Sequence, residues 1–203
     1  MLARFTLVQT YKNTVSDSQI ECSLIIPKID DFVMGKMQIK VGDADIIEGK
    51  VLKREQAKQK YEDAIASGHT AVMAKEDKKA DLIKVMIGNL LVGQEAVVEI
   101  EMISMVKMDM GAYCVKIPIQ FFPPTQVEFP YKYSLLMDVR TTHALQYLSC
   151  PKHSNIKKYM SDEIQAPQNF VQIELTDMPS NDIKKDFIIY FKTANMEEPS
   201  LVY

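Results

Sequence analysis

The sequence predicts a mostly β protein, an antiparallel β-sandwich-like fold with one amphipathic α-helix packed on a sheet, and three observations support that class. Apolar and polar residues alternate with period two along many short runs, which sends one face of each run to a core and the other to solvent. Gly, Pro, Asn and Asp separate the runs, and no regular succession of strand and helix implies crossover connections, so the sheets should be antiparallel. One stretch alone follows a helical period instead.

The alternating runs come in order. Met1 to Thr10 alternate polar with apolar residues, unlike the unbroken apolar core of a signal peptide. Ile20, Cys22, Leu24 and Ile26 share a face until Pro27 stops the run, and Met37, Ile39 and Val41 share another before a turn at Gly42-Asp43. A strand over Leu82 to Ile87 leads through Gly88-Asn89 and Gly93 into the longest run, Ala96 to Val106, where Val98, Ile100 and Met102 oppose Glu99 and Glu101. A loop with Asp109 and Gly111 precedes Tyr113, Val115 and Ile117. Tyr131 to Val139, Phe170 to Leu175 and Phe187 to Phe191 complete the set.

From Lys53 to Ser67 the chain reads KREQAKQKYEDAIAS, rich in helix formers and free of Gly and Pro. Ala57, Tyr61, Ala64 and Ile65 recur at the spacing of one helical stripe, and Gly68 follows where a C-cap tolerates positive φ. The helix should lie on a sheet by its Tyr61 face. A second, shorter helix is expected over Asn155 to Met160. Three prolines in FFPPTQVEFP mark residues 121–130 as a connector, because proline fixes φ and removes a donor.

Composition narrows the function. The 203 residues are 47% hydrophobic, enough for a sizeable core without a disulfide or metal staple. The net charge of -3 and the dispersed lysine pairs (Lys78-Lys79, Lys157-Lys158, Lys184-Lys185) give no electrostatic footprint for nucleic acid or an anionic membrane. Three cysteines, Cys22, Cys114 and Cys150, form no CxxC pair. An odd count of this kind fits a reduced, cytoplasmic setting, with Cys22 and Cys114 packing inside strands as small hydrophobes.

The stretch from Gly49 to Ala74, GKVLKREQAKQKYEDAIASGHTAVMA, resembles the signature of the VIT domain, named for vault protein and inter-alpha-trypsin inhibitor. The matching positions are Gly49, Val51, Lys53, Ala57, Tyr61-Glu62, Ala64, Gly68 and Ala71. Ile87-Gly88-Asn89-Leu90 followed by Gly93 resembles a second family element, with Val92 standing where the family has proline. Lys185-Asp186-Phe187, Ile188-Ile189-Tyr190 and Pro199 resemble its closing strand, and Cys150 to Tyr159 its serine-proline-histidine region. The resemblance implies a β-rich interaction module that normally precedes a von Willebrand A domain, in the intracellular branch of the family. It further implies about one more strand pair before Phe5, and a von Willebrand A domain beginning near Tyr203. No Asp-x-Ser-x-Ser metal sequence occurs in this chain. The expected organisation is one VIT domain over residues 1–203: a core at 1–120, the connector at 121–130 and C-terminal strands at 131–203.

Residues that could carry chemistry read more simply as structure. His69, His143 and His153 lack metal-ligand spacing, and one histidine near Cys150 makes no site. His69 follows the helix C-cap, where the dipole favours a cation. Glu99 and Glu101 share a solvent-facing strand side, and seven glycines leave little room for a phosphate loop. Gly49, Gly68, Gly88 and Gly93 fit backbone geometry, and Tyr61 fits packing. Of thirteen methionines, Met86, Met102, Met105, Met108 and Met110 lie close in sequence, as in an adaptable surface or an ordinary core.

No catalytic, cofactor-binding or metal-binding residue is therefore expected, and no cofactor, nucleic acid, membrane or small-molecule substrate. The expected function is a non-catalytic protein–protein interaction or scaffold module, its partner a von Willebrand A domain in cis or a multi-protein assembly. The alternative is a structural subunit of a large intracellular assembly, vault-like or cytoskeletal, docked through open sheet edges.

Overall fold

The computed structural model describes residues 1–42, 47–48, 54–77, 80–122, 132–153, 156–160, 169–179 and 185–194. The chain forms two compact units, Met1–Met105 and Val106–Tyr203. Each is built from two antiparallel sheets.

In the first unit the strands are β1 (Leu2–Lys12), β2 (Ile20–Pro27), β3 (Phe32–Val41), β4 (Ile47–Glu48), β5 (Ala71–Asp77), β6 (Leu82–Leu90) and β7 (Glu95–Met105), with helix α1 at Arg54–Ala66. One sheet runs β1-β7-β3-β4 and the other β2-β6-β5. Alternation decides what is buried. Ala96, Val98, Ile100 and Met102 of β7 and Ile39 and Val41 of β3 turn inward, as do Leu24 and Ile26 of β2 and Val85 and Ile87 of β6. Each such apolar side chain contributes roughly 1.5–3 kcal/mol through its removal from water.

Helix α1 occupies nearly the expected span, and its expected stripe is the less exposed one: Tyr61 is buried, while Ala57, Ala64 and Ile65 are half-buried. It ends in a Schellman arrangement. Gly68 takes φ +78°, its N–H donates to Ile65 O at 3.0 Å, and the His69 N–H donates to Ala64 O at 3.0 Å. Ser67 adds a hydroxyl bond to Asp63 O at 2.8 Å.

Two departures from expectation concern β6. Gly88-Asn89 does not interrupt the chain but lies within β6, which continues to Leu90. The reversal follows, at Leu91 to Gln94, where Gln94 N–H donates to Leu91 O at 3.0 Å and Gly93 has φ +73°, a type II turn with glycine at its third position. Buried Asn13 ties this turn to the end of β1. Its N–H donates to Gln94 O at 3.0 Å, and its carbonyl accepts from Gly93 N–H at 2.9 Å. Its amide donates to Ser18 O and Leu90 O, and its Oδ1 accepts from Val15 N–H. Every polar group of this buried side chain is satisfied, which avoids the penalty of an orphaned amide.

The second unit holds β8 (Lys107–Asp109), β9 (Ala112–Ile117), β10 (Lys132–Arg140), β11 (Leu145–Ser149), β12 (Lys157–Met160), β13 (Phe170–Pro179) and β14 (Phe187–Thr193). The sheets are β11-β14-β9-β8 and β10-β13-β12. Val115, Ile117, Phe187, Ile189 and Phe191 form the core with Val139, Val171, Ile173 and Leu175.

The helix expected over Asn155 to Met160 is not formed. Lys157–Met160 is a strand paired with Val171 to Glu174 of β13, so pairing to a long central strand overrides the local preference of a segment too short to hold a helix. Asn155 lies outside the described residues, as do Gly49, Val51, Lys53, Asp43, Pro199 and most of the 121–130 connector.

Two substitutions test this frame. Val92 precedes Gly93 in the turn, at the position where proline's φ is preset, so Val92→Pro should raise stability by about 0.4–1 kcal/mol through the unfolded state; the urea midpoint would move up at constant slope. A Cβ at Gly88 would collide with Ile65 and come within 2.7 Å of the Tyr61 hydroxyl. Gly88→Ala should therefore cost about 1–3 kcal/mol, and an unchanged midpoint would mean that the helix does not rest on this strand.

Candidate interaction surface

The best-defined local constellation in the first unit is the seat of helix α1. Bare backbone at Gly88 lets Tyr61 and Ile65 approach the strand. The next residue, Asn89, is buried with φ +54°, a conformation that asparagine tolerates better than most side chains. Its Nδ2 donates to Ile65 O at 3.0 Å and to His69 O at 3.2 Å, satisfying carbonyls that the helix end leaves free. Thr70 closes the loop by donating to Asn89 O at 3.0 Å. On β2, Glu21 accepts from the Tyr61 hydroxyl at 3.1 Å. Burial, and then this carboxylate, push the phenol up to about 12. All of these contacts hold the helix; none leaves an acid, base or nucleophile poised over a cleft.

The outer face of the β1-β7-β3-β4 sheet is the most open surface of this unit. Glu99 and Glu101 stand on it as expected, exposed, with Val8 and Thr6 of β1 opposite them. Towards one end the face turns apolar: Leu2 is 70% exposed, Val33 68% and Met105 71%, with Ile103 between them. At the other end the turn carries exposed Leu91 and Val92 beside a shallow open concavity lined by Lys40, Gly42 and Gln94.

The methionines divide accordingly. Met102 fills the core, whereas Met105, Met108 and Met110 are exposed. Met110 sits at a hairpin tip with φ +49°, followed by Gly111 at +70°, the two positive values of a type I′ turn.

In the second unit His153 is buried and stacked on Phe187, with ring centroids 5.3 Å apart. Among the described residues its Nε2 has no hydrogen-bond partner, and neither has the buried Tyr133 hydroxyl. Burial pushes the imidazole below its ordinary value; a bond to the Asp186 backbone opposes this, and Lys185 and Lys152 add to it. Burial would raise the Asp186 carboxyl, but the Ile119 N–H at 3.0 Å and the Lys116 ammonium at 3.0 Å outweigh it and hold the group below the usual range. These contacts join the Cys150–Tyr159 region to the start of β14. Sequence reading had no signal for them, because they depend on which strands become neighbours.

The remaining candidates are scattered. His69 is exposed beyond the helix, and its carbonyl serves Asn89. His143 lends its carbonyl to the Thr141 hydroxyl at 2.6 Å. Cys22 and Cys114 lie on strands but are only partly buried. Burial pushes both thiols up, the direction opposite to that of an activated nucleophile. The Cys114 thiol bonds the Tyr190 hydroxyl, which donates to Asp109 at 2.8 Å. This carboxylate, and then burial, push the phenol up to about 12. Among the described residues no three of His, Cys, Asp and Glu gather at metal-ligand range, and no helix is long and apolar enough to cross a membrane.

A family model described as "Vault protein inter-alpha-trypsin domain" matches residues 1–102, the span of the first unit up to Met102. No curated protein matches the chain.

The state of His153 makes stability depend on pH. Its folded-state pKa lies below the unfolded value near 6.5, so the unfolded chain takes up the proton first. The contribution of neutral His153 is complete above that value and is lost as pH falls through the folded pKa. Denaturant midpoints measured from pH 7.5 down to 5 should decline in the wild type and decline less in His153→Phe, which keeps a flat ring against Phe187. Equal slopes would remove His153 as the cause.

Proposed function

Since the chain belongs to the vault protein inter-alpha-trypsin (VIT) domain family, we propose that it is a non-catalytic protein–protein interaction or scaffold module. Its exposed sheet edges and turns engage partners through backbone pairing and shape rather than through a cofactor. The observation that carries this reading is the layout of the family-matched unit: its conserved-looking signature residues are spent on seating α1, while the broad sheet face and the long β1 edge are left to solvent. The partner we propose in cis is a von Willebrand A domain, and the setting a cytoplasmic one, in keeping with three cysteines that remain thiols. The open β1 edge also favours a second reading, a structural subunit of a large assembly docked edge to edge.

Affinity capture with the full chain, followed by mass spectrometry, tests the proposal. A partner should be retained by Cys22→Ser, Cys114→Ser and Cys150→Ser variants and lost when charges are placed on the exposed side of β1. Titration of the folded protein with a thiol reagent at neutral pH should find all three cysteines slow. One rapidly reacting thiol that is protected by a captured small molecule would overturn the non-catalytic reading.

A further inference from the structure

Unprotected edge strands are rare, because a free row of backbone donors and acceptors recruits any passing strand. Most edges of this protein are blunted. β4, β8 and β12 have two, three and four residues. The pairings of β2, β10 and β11 are broken by register shifts, and β2 ends in Pro27. β5 closes on Lys75-Glu76-Asp77.

β1 is different. It has eleven residues, pairs with β7 in one unbroken register from Leu2↔Met105 to Lys12↔Glu95, and contains no proline. Its inward residues, Ala3, Phe5, Leu7, Gln9 and Tyr11, include no charge that would repel a neighbour.

We infer that β1 is a self-association edge, and that its partner is β1 of a second copy, antiparallel about a two-fold axis through Leu7. This deepens the interaction-module reading and rests on it. The register follows from the sequence of the strand. A continuous sheet must keep both copies' core faces on one side, which requires opposed residue numbers to add to an even total. Centring on Leu7 pairs the whole strand: Leu2 with Lys12, Ala3 with Tyr11, Arg4 with Thr10, Phe5 with Gln9 and Thr6 with Val8. Centring on Val8 would set Arg4 against Lys12, two like charges directly opposed. Centring on Thr6 would leave Tyr11 and Lys12 unpaired. In the favoured register Lys12 stays neutralised by Glu95 of its own copy, at 3.1 Å, and small Ala3 faces large Tyr11.

Sedimentation equilibrium on the full chain tests the inference. The weight-average mass should rise with micromolar concentration from the 23.1 kDa chain mass towards twice that value. Thr6 and Val8 are exposed and face Glu101 and Glu99 of β7, so T6K/V8K stays folded, as its melting curve would verify. It brings four lysines together at the axis, and its dissociation constant should rise roughly tenfold or more. T6K/V8E places Lys opposite Glu across the axis and should restore association. A wild-type chain that stays monomeric at every concentration overturns self-pairing, while the interaction-module reading still stands or falls by the capture experiment. A dimer that T6K/V8K does not weaken overturns the β1 edge, and a dimer that T6K/V8E fails to restore overturns the register.

Discussion

The close approach of helix α1 to strand β6 is the constraint around which the first unit is arranged. A helix can sit this near a strand only where one strand residue has no side chain, and Gly88 is that residue. Once the helix is there, its last carbonyls face a buried strand, where unmade hydrogen bonds would cost about 1–3 kcal/mol each. Asn89 meets two of them, and does so from a left-handed backbone that turns its amide towards the helix. Gly68 then has to reverse the chain so that Thr70 and β5 can return alongside β6. Glycine, asparagine, glycine and tyrosine thus occupy their places for four separate physical reasons that serve one contact. This is why the VIT signature is long and mixed in residue type, and why it speaks to fold before function.

The second buried asparagine plays the matching part at the opposite side of the sheet pair. Asn13 fastens the end of β1 to the β6–β7 turn, so the position of the edge strand is anchored by a fully satisfied polar group rather than by packing alone. A strand held so firmly on one side, with its other side open, is suited to pair without losing its own sheet. The weak blunting of this edge, beside the bulged or short edges elsewhere, therefore bears directly on how the module engages a partner.

The second unit answers to different physics. Its core is assembled from two sheets in which Phe187, Ile189 and Phe191 alternate with polar neighbours. The polar residues set against that core are balanced by position: Asp186 by an amide and an ammonium, His153 by remaining neutral against Phe187. Neither arrangement has the cleft, lowered thiol or gathered ligands that chemistry would need.

Much of this was legible from residue order. Which face of β2, β3, β6, β7 or β14 is buried follows from a period of two, and the Ala57, Tyr61, Ala64 and Ile65 stripe from the helical repeat, because both depend only on local backbone geometry. The strand status of Lys157–Met160 did not follow, nor did the role of Asn13, the continuation of β6 through Gly88-Asn89, or the stacking of His153. Strand partners are chosen by residues far away in sequence, and four residues of mixed character take whatever conformation a long neighbour such as β13 offers. The VIT signature and the inward face of each strand were thus determined by the sequence itself. Only the tertiary structure decided that Gly88 and Asn89 seat a helix and that β1 remains an edge, since both depend on what the folded chain places beside them.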